Sequence, residues 1–159
     1  MSDIGRLWLF HESYGFRVIP PPMDYDSFVK LLLICANGDG RITAPEREWI
    51  VGWVDAFGGP ASALDLCRSY DGHGDIGTIV EASPGVRMSA TAIIYYGIYA
   101  AEADGELHPG EVAALKKVAA GLGISPEKVD GLIDLYYEER ALRAKRLRHI
   151  YPEGIPFQS

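Results

Sequence analysis

Two stretches of the chain carry the same pattern: Asn37-Gly38-Asp39-Gly40-Arg41-Ile42-Thr43-Ala44-Pro45-Glu46 and Glu102-Ala103-Asp104-Gly105-Glu106-Leu107-His108-Pro109-Gly110-Glu111. The aspartate, the second glycine, the apolar residue and the glutamate recur at a constant offset of 65 residues. An apolar segment of helical character precedes and follows each copy. A repeated unit of this kind predicts two helical hairpins related by a pseudo-twofold axis.

The repeated pattern has a complete structural explanation. Its glycine can take the left-handed conformation that ends a helix, and its aspartate can accept hydrogen bonds from loop amides. The apolar residue, Ile42 or Leu107, can pack on the end of the hairpin. The glutamate, Glu46 or Glu111, falls in the first turn of the next helix, where the helix dipole favours a carboxylate. No ligand is needed under this interpretation.

The same spacing also resembles a calcium-binding loop with glycine at position 6. Oxygen-bearing side chains then fall at positions 3, 5 and 12 of both copies. These candidate ligands for calcium or magnesium are Asn37, Asp39, Glu46, Glu102, Asp104 and Glu111. Position 1 needs an oxygen ligand as well, and it holds Cys35 and Ala100 instead. The sequence therefore leaves three readings open: structural loops, a weak divalent-cation site, or a site for another ligand.

Composition narrows the class of protein. The chain has 159 residues, of which 48% are hydrophobic and 23% charged, as expected for one globular domain with its own core. The two cysteines exclude a disulfide scaffold and favour a reducing compartment. The net charge of −7 argues against nucleic-acid binding. No signal-peptide pattern is present, and the most apolar window is shorter than a membrane span. We therefore expect a cytoplasmic protein without a transmembrane segment.

Helix signals dominate the chain, and no convincing strand alternation is present. The prolines at 20–22 are expected to stop an N-terminal helix, since successive prolines hold an extended conformation. Asp24 or Asp26 can then cap the next helix. Thr43 and Glu46 have the spacing of a capping box, which predicts the start of another.

These signals together predict an all-α fold: a single-domain bundle of about seven helices that contains the two related hairpins. We expect an N-terminal helix or arm at residues 1–25, the helical domain at residues 26–148, and an irregular tail at residues 149–159.

The end of the last expected helix is basic, although the rest of the chain is acidic. Residues 140–148 contain five basic side chains and no acidic one: Arg140, Arg143, Lys145, Arg146 and Arg148. Cations at a helix C-terminus complement the helix dipole, which is a sufficient structural reason for them. The alternative is a docking surface for an acidic protein partner or an anionic lipid.

Two other features are expected to serve packing. Cys35 follows an apolar run and is expected to be a small buried side chain rather than a reactive thiol. Tyrosines occur in pairs on two expected helices, where they are more typical of core or interface positions than of a cofactor site. They are Tyr95, Tyr96, Tyr99, Tyr136 and Tyr137.

The duplicated motif resembles the TerB-like family, which includes tellurite resistance proteins and the N-terminal domain of DjlA co-chaperones. The matching stretches are residues 36–42 with Glu46 and residues 101–107 with Glu111, followed by Leu122-Gly123-Ile124-Ser125. The resemblance covers about residues 26–137. It implies a helical bundle with two acidic loops, a role in stress response and resistance to toxic oxyanions, and acidic clusters suspected of binding metal ions. It implies no established catalysis.

Catalytic patterns are not found in the sequence. The tripeptide His108-Pro109-Gly110 lacks the aspartate of a J-domain, so the co-chaperone activity of DjlA-type proteins is not expected. There is no zinc-protease helix, phosphate-binding glycine loop or nucleophile elbow. A small metal-dependent hydrolase would rest on the paired carboxylates alone. We therefore expect a non-enzymatic protein that binds a cation, a protein partner, or both.

Overall fold

The structure is a computed structural model that describes residues 2–18 and 24–156. This part of the chain contains eight α-helices, one 3₁₀ helix at Pro84–Ser89 and no strand. The α-helices are α1 (Asp3–Tyr14), α2 (Tyr25–Ala36), α3 (Ala44–Ala56), α4 (Ala61–Ser69), α5 (Ile76–Ala82), α6 (Ala90–Ala101), α7 (Pro109–Leu122) and α8 (Pro126–Ile150). None of them is long and apolar enough to cross a membrane. The all-α fold expected from the sequence is confirmed.

Helices begin where the capping signals indicated. Asp24 accepts a hydrogen bond from the amide of Ser27 at 3.2 Å and caps α2, whereas the proline break at 20–22 lies outside the described residues. Thr43 and Glu46 form a capping box at the start of α3. Ser125 caps α8. The 3₁₀ helix was not expected from the sequence.

The two expected hairpins form the centre of the bundle. One consists of α2 and α3, the other of α6 and α7. Helices α2 and α6 pack against each other, and the second helix of each hairpin also packs against the first helix of the other. This reciprocal arrangement is what a pseudo-twofold axis between α2 and α6 requires. Side chains on all sides of α2 are buried, including Leu31, Leu32 and Leu33, as expected for a helix surrounded by others.

Helix α1 packs on this core through the buried Phe10 and the half-buried Tyr14, whose ring meets that of Tyr96 edge-on. The ring of Phe10 is 1% exposed and lies edge-on to Phe57, with 4.7 Å between the ring centroids. The opposite face of α1 carries Ile4 and Trp8, which are 83% and 66% exposed.

Helix α8 is buried only in its first half. Val129, Leu132 and Tyr136 are buried, and this half packs against α6 and α7. From residue 137 to 150 every side chain is exposed except the half-buried Leu147. At 1.5 Å per residue this segment extends for about 20 Å without being covered by the rest of the described chain.

Candidate functional site

The two duplicated stretches form corners with the same backbone geometry. We call residues 37–46 the first corner and residues 102–111 the second corner. Gly40 and Gly105 have φ angles of +93° and +107°, a region that side-chain-bearing residues rarely occupy. Asp39 Oδ1 accepts a hydrogen bond from the amide of Arg41 at 2.9 Å, and Asp104 Oδ1 accepts one from Glu106 at 3.2 Å. Both aspartate side chains thus accept hydrogen bonds from backbone amides of their own turns, as the structural interpretation of the motif predicted.

Each corner ends in a glutamate whose side chain turns back onto it. Glu46 accepts a hydrogen bond from the amide of Thr43, and Glu111 Oε2 accepts one from the amide of His108 at 2.8 Å. These bonds close the capping boxes of α3 and α7. Both glutamates are only 1% exposed, although glutamate is almost never fully buried without a partner.

The two corners touch backbone to backbone. A β-carbon on Gly38 would lie 2.4 Å from Cα of Glu111, and a β-carbon on Gly110 would lie 2.5 Å from the carbonyl oxygen of Gly38. Both distances are far below van der Waals contact, so only glycine fits at these positions. The contact places the first turn of α7 against the first corner.

This contact brings Glu46 and Glu111 together as a carboxyl pair. The Glu111 side chain faces the Glu46 side chain closely enough for the two carboxyl groups to interact. Glu111 Oε1 is buried and has no donor as long as both groups are ionised. An ionised carboxylate can only accept, so a proton on one carboxyl supplies the missing donor.

Burial is the main cause that raises the pKa of Glu111 to about 9, and the hydrogen bond with Glu46 and the negative charges of Glu46 and Asp39 act in the same direction. Glu111 therefore keeps its proton at neutral pH and can donate it in a hydrogen bond to the Glu46 carboxylate. The general rule is that two carboxylates in contact cannot both ionise at low cost.

The other candidate ligands are not gathered at the carboxyl pair. Asn37 forms a side-chain hydrogen bond of 3.3 Å with Nδ1 of His73. Glu102 is ion-paired with Arg140 and accepts a hydrogen bond from the hydroxyl of Tyr136. Within residues 2–18 and 24–156, no group of three or more histidine, cysteine, aspartate or glutamate side chains is arranged to hold a metal ion.

Glu102 belongs instead to an aromatic cleft of about 270 Å³ that the sequence analysis did not anticipate. Trp49 of α3 stacks on Tyr99 of α6, with 5.7 Å between centroids, and Tyr136 of α8 meets Tyr99 edge-on at 4.6 Å. Burial raises the pKa of Tyr136 to about 12, so its hydroxyl stays protonated and donates to Glu102. The tyrosine pairs were the available sequence signal, but nothing in the sequence placed Trp49 beside them.

Comparison with known proteins finds no matching family model and no matching curated protein. The crystal structure of a tellurite resistance protein from Nostoc punctiforme is similar to it, with a TM-score of 0.83 and 37% sequence identity. The match covers 99% of this chain and 100% of that one.

The fold, the duplicated corners and this similarity define the class: the chain is an all-helical protein of the TerB type. More specifically, it belongs to the TerB-like family of tellurite resistance proteins. The resemblance inferred from residues 36–46 and 101–111 is thereby confirmed, and the similarity extends well beyond those residues.

Proposed function

We propose that this protein has a non-enzymatic role in a stress response such as tellurite resistance, and that it acts by binding a cation, a protein partner, or both. What supports the role in resistance is the full-length similarity to a tellurite resistance protein. What supports a binding role rather than catalysis is the burial of the paired carboxylates. Glu46 and Glu111 are each 1% exposed, so a substrate cannot reach them as it would reach the catalytic carboxylates of a hydrolase.

We further propose that a divalent cation, calcium or magnesium, binds at the carboxyl pair. The observation that carries this is Glu111 Oε1, a buried oxygen without a donor that faces a second carboxylate. A hard cation satisfies such oxygens as well as a proton does. Asp39 is exposed and its charge acts on Glu111, so it offers a route from solvent to the pair.

Under this proposal the six candidate ligands have unequal roles. Glu46 and Glu111 hold the cation, and Asp39 contributes its negative charge from the exposed side without being a third ligand. Asp104 supports the second corner, where its side chain bonds the amide of Glu106, and it is not among the charges that act on Glu111. Asn37 and Glu102 act outside the site, since each is bonded to another element of the fold.

The cation must displace the shared proton, which gives a specific test. Titration calorimetry with calcium, magnesium and manganese is expected to show saturable binding that strengthens as the pH rises from 6 to 9. Repeating it in buffers of different ionisation enthalpy is expected to show about one proton released per cation. Glu111→Gln is expected to abolish binding, because the amide cannot carry the negative charge.

A matched control comes from the same region. Glu48 is exposed on α3, so Glu48→Gln removes one negative charge without touching the carboxyl pair and is expected to leave binding unchanged. The cation site is ruled out by the absence of heat at millimolar cation at pH 9, or by full binding in Glu111→Gln.

The second candidate function is a protein-interaction domain with purely structural corners. It is favoured by a specific observation: Asp39, Asp104, Glu46 and Glu111 all accept hydrogen bonds from the backbone of their own corners. In this case the surface that acts is elsewhere on the bundle, and the calorimetric titration gives no signal for any cation.

A further inference from the structure

The aromatic cleft continues along α8 into a second, wider depression of about 750 Å³. The two share Tyr99, Glu139 and Arg143, and the second is also lined by Ser13, Leu142 and Arg146. Together they form one open groove that runs beside the uncovered half of α8, and we call it the α8 groove. Its floor is aromatic and one wall carries guanidinium groups.

The acidic side chains that line the α8 groove already have partners. Glu102 is bonded to Arg140 and to Tyr136. Glu139 accepts hydrogen bonds from the hydroxyls of Tyr95 and Tyr99, at 2.5 and 3.2 Å. At the far end, Glu12 is bonded to the ring of His11 at 3.0 Å.

Two guanidinium groups in the same groove have no such partner. Among the described residues, neither Arg143 nor Arg146 is ion-paired with a carboxylate. Both point to the same depression, which Tyr99 also lines. Arg143 and Arg146 therefore offer the groove guanidinium donors that no carboxylate among the described residues occupies.

We propose that the α8 groove binds an acidic segment of a partner protein. Carboxylates of the segment would pair with Arg143 and Arg146, because the planar guanidinium fork matches carboxylate geometry. An apolar or aromatic side chain of the segment would cover Trp49 and Tyr99, which are only half-buried. The partner protein would thus be recognised by carboxylates that pair with the two arginines and by one apolar side chain that packs on the aromatic rings.

The surroundings of the groove favour a short acidic segment over a larger polyanion. A nucleic acid or an anionic membrane would also meet the acidic surface of the rest of the molecule and be repelled. A peptide segment contacts only the groove.

Peptide binding in the α8 groove is independent of cation binding, since neither Glu46 nor Glu111 lines the groove. The probe we choose is a displayed library of random twelve-residue peptides, selected on the immobilised full-length chain. Enriched peptides are expected to combine several aspartates or glutamates with an aromatic residue or leucine. Labelled versions of them are then titrated with the protein by fluorescence anisotropy.

Two double variants, each of which removes two positive charges, distinguish binding in the groove from a general effect of the basic helix. Arg143→Gln with Arg146→Gln removes the two cations of the groove that lack a carboxylate partner and is expected to weaken binding about tenfold, the combined loss of two ion pairs at exposed side chains. Lys145→Gln with Arg148→Gln removes two charges of α8 that do not line the groove, and is expected to change affinity by less than about twofold. The indole signal of Trp49 in NMR spectra is expected to shift on binding, and those of Trp8 and Trp53 to stay.

Several results would overturn the assignment. They are failure to enrich any peptide, enrichment without acidic residues, equal loss in both double variants, and no shift at Trp49. Binding to phosphatidylserine vesicles with no enrichment of acidic peptides would identify a lipid-binding surface instead.

Discussion

The first and second corners have the same backbone geometry but are attached to different parts of the bundle by their first side chains. In both, an aspartate bonds its turn, a left-handed glycine ends it, and a buried glutamate closes a capping box. Asn37 and Glu102 occupy equivalent positions, yet Asn37 bonds His73 in the loop between α4 and α5, whereas Glu102 ties α6 to α8. The aspartate, glycine and glutamate that form the corners and the carboxyl pair are therefore the same in both copies. The side chain that attaches each corner to the rest of the bundle differs.

The largest effect is expected where the corners touch. Gly38→Ala would place a β-carbon 2.4 Å from backbone atoms of α7 and is expected to lower the free energy of unfolding by about 3 kcal/mol. Chemical denaturation followed by circular dichroism measures this. Gly52→Ala is the control, because Gly52 is exposed within α3 with open space around it, and alanine there is expected to stabilise by about 0.5–1 kcal/mol. A mild effect of Gly38→Ala would mean that the corners are not in backbone contact.

The next effect concerns the shared proton. The raised pKa of Glu111, about 9 against a usual 4.5, means that the folded state keeps a proton that the unfolded chain loses above pH 4.5. The free energy of unfolding is therefore expected to fall as the pH rises from 5 to 9 and to level off above the folded-state pKa. Glu111→Gln mimics the protonated carboxyl and is expected to flatten the dependence, so that the variant is more stable than the original protein at pH 8.

Denaturant titrations at pH 5.5, 7 and 8.5 measure this dependence for both proteins. Glu48→Gln, at an exposed position of α3, is expected to keep the slope of the original protein. Parallel curves for Glu111→Gln and the original protein would contradict a shared proton.

A smaller effect on stability is expected at Asn37 and Glu102, the side chains that attach the two corners to other parts of the bundle. Glu102→Ala leaves the hydroxyl of the buried Tyr136 without its acceptor and is expected to cost about 1–3 kcal/mol. Asn37→Ala removes an exposed hydrogen bond of 3.3 Å and is expected to cost under about 1 kcal/mol. Hydrogen exchange is expected to show that Glu102→Ala lowers the protection of amides in α8. Equal losses of stability in the two variants, or lost protection confined to the corner, would show that the two positions have equivalent roles.

The smallest effect is expected at the exposed aspartates of the corners. Asp39→Ala and Asp104→Ala each remove one hydrogen bond between a side chain and a turn amide, and each is expected to cost about 0.5–1 kcal/mol. Because the two turns have the same geometry, the two costs are expected to agree within error in thermal unfolding. A marked difference would contradict the equivalence of the corners.

The sequence predicted what depends on neighbouring residues. The caps at Asp24 and Thr43 and the left-handed glycines of both corners follow from local backbone chemistry, which a short stretch of sequence contains in full. The family resemblance followed from the same local pattern. The constant offset of the repeat also predicted the pairing of α2 with α3 and of α6 with α7.

What the sequence could not supply are contacts between distant residues. The calcium-loop spacing placed Glu46 and Glu111 in separate loops, but the close approach of Gly38 and Gly110 brings them into one pair. The aromatic cleft depends on Trp49 of α3 meeting Tyr99 of α6, and no periodicity reveals which faces of two helices meet. The basic end of α8 was visible as composition, but its uncovered position required the packing of the bundle.

The central claim is that duplication places two capping glutamates face to face with one proton between them. Carbon-13 NMR of the glutamate carboxyl groups, followed from pH 4 to pH 10, tests this most directly. One of the two carboxyl signals of Glu46 and Glu111 is expected to titrate near pH 9, and this step is expected to be absent in Glu111→Gln. Titration of both carboxyl groups near pH 4.5 in the folded protein would contradict it.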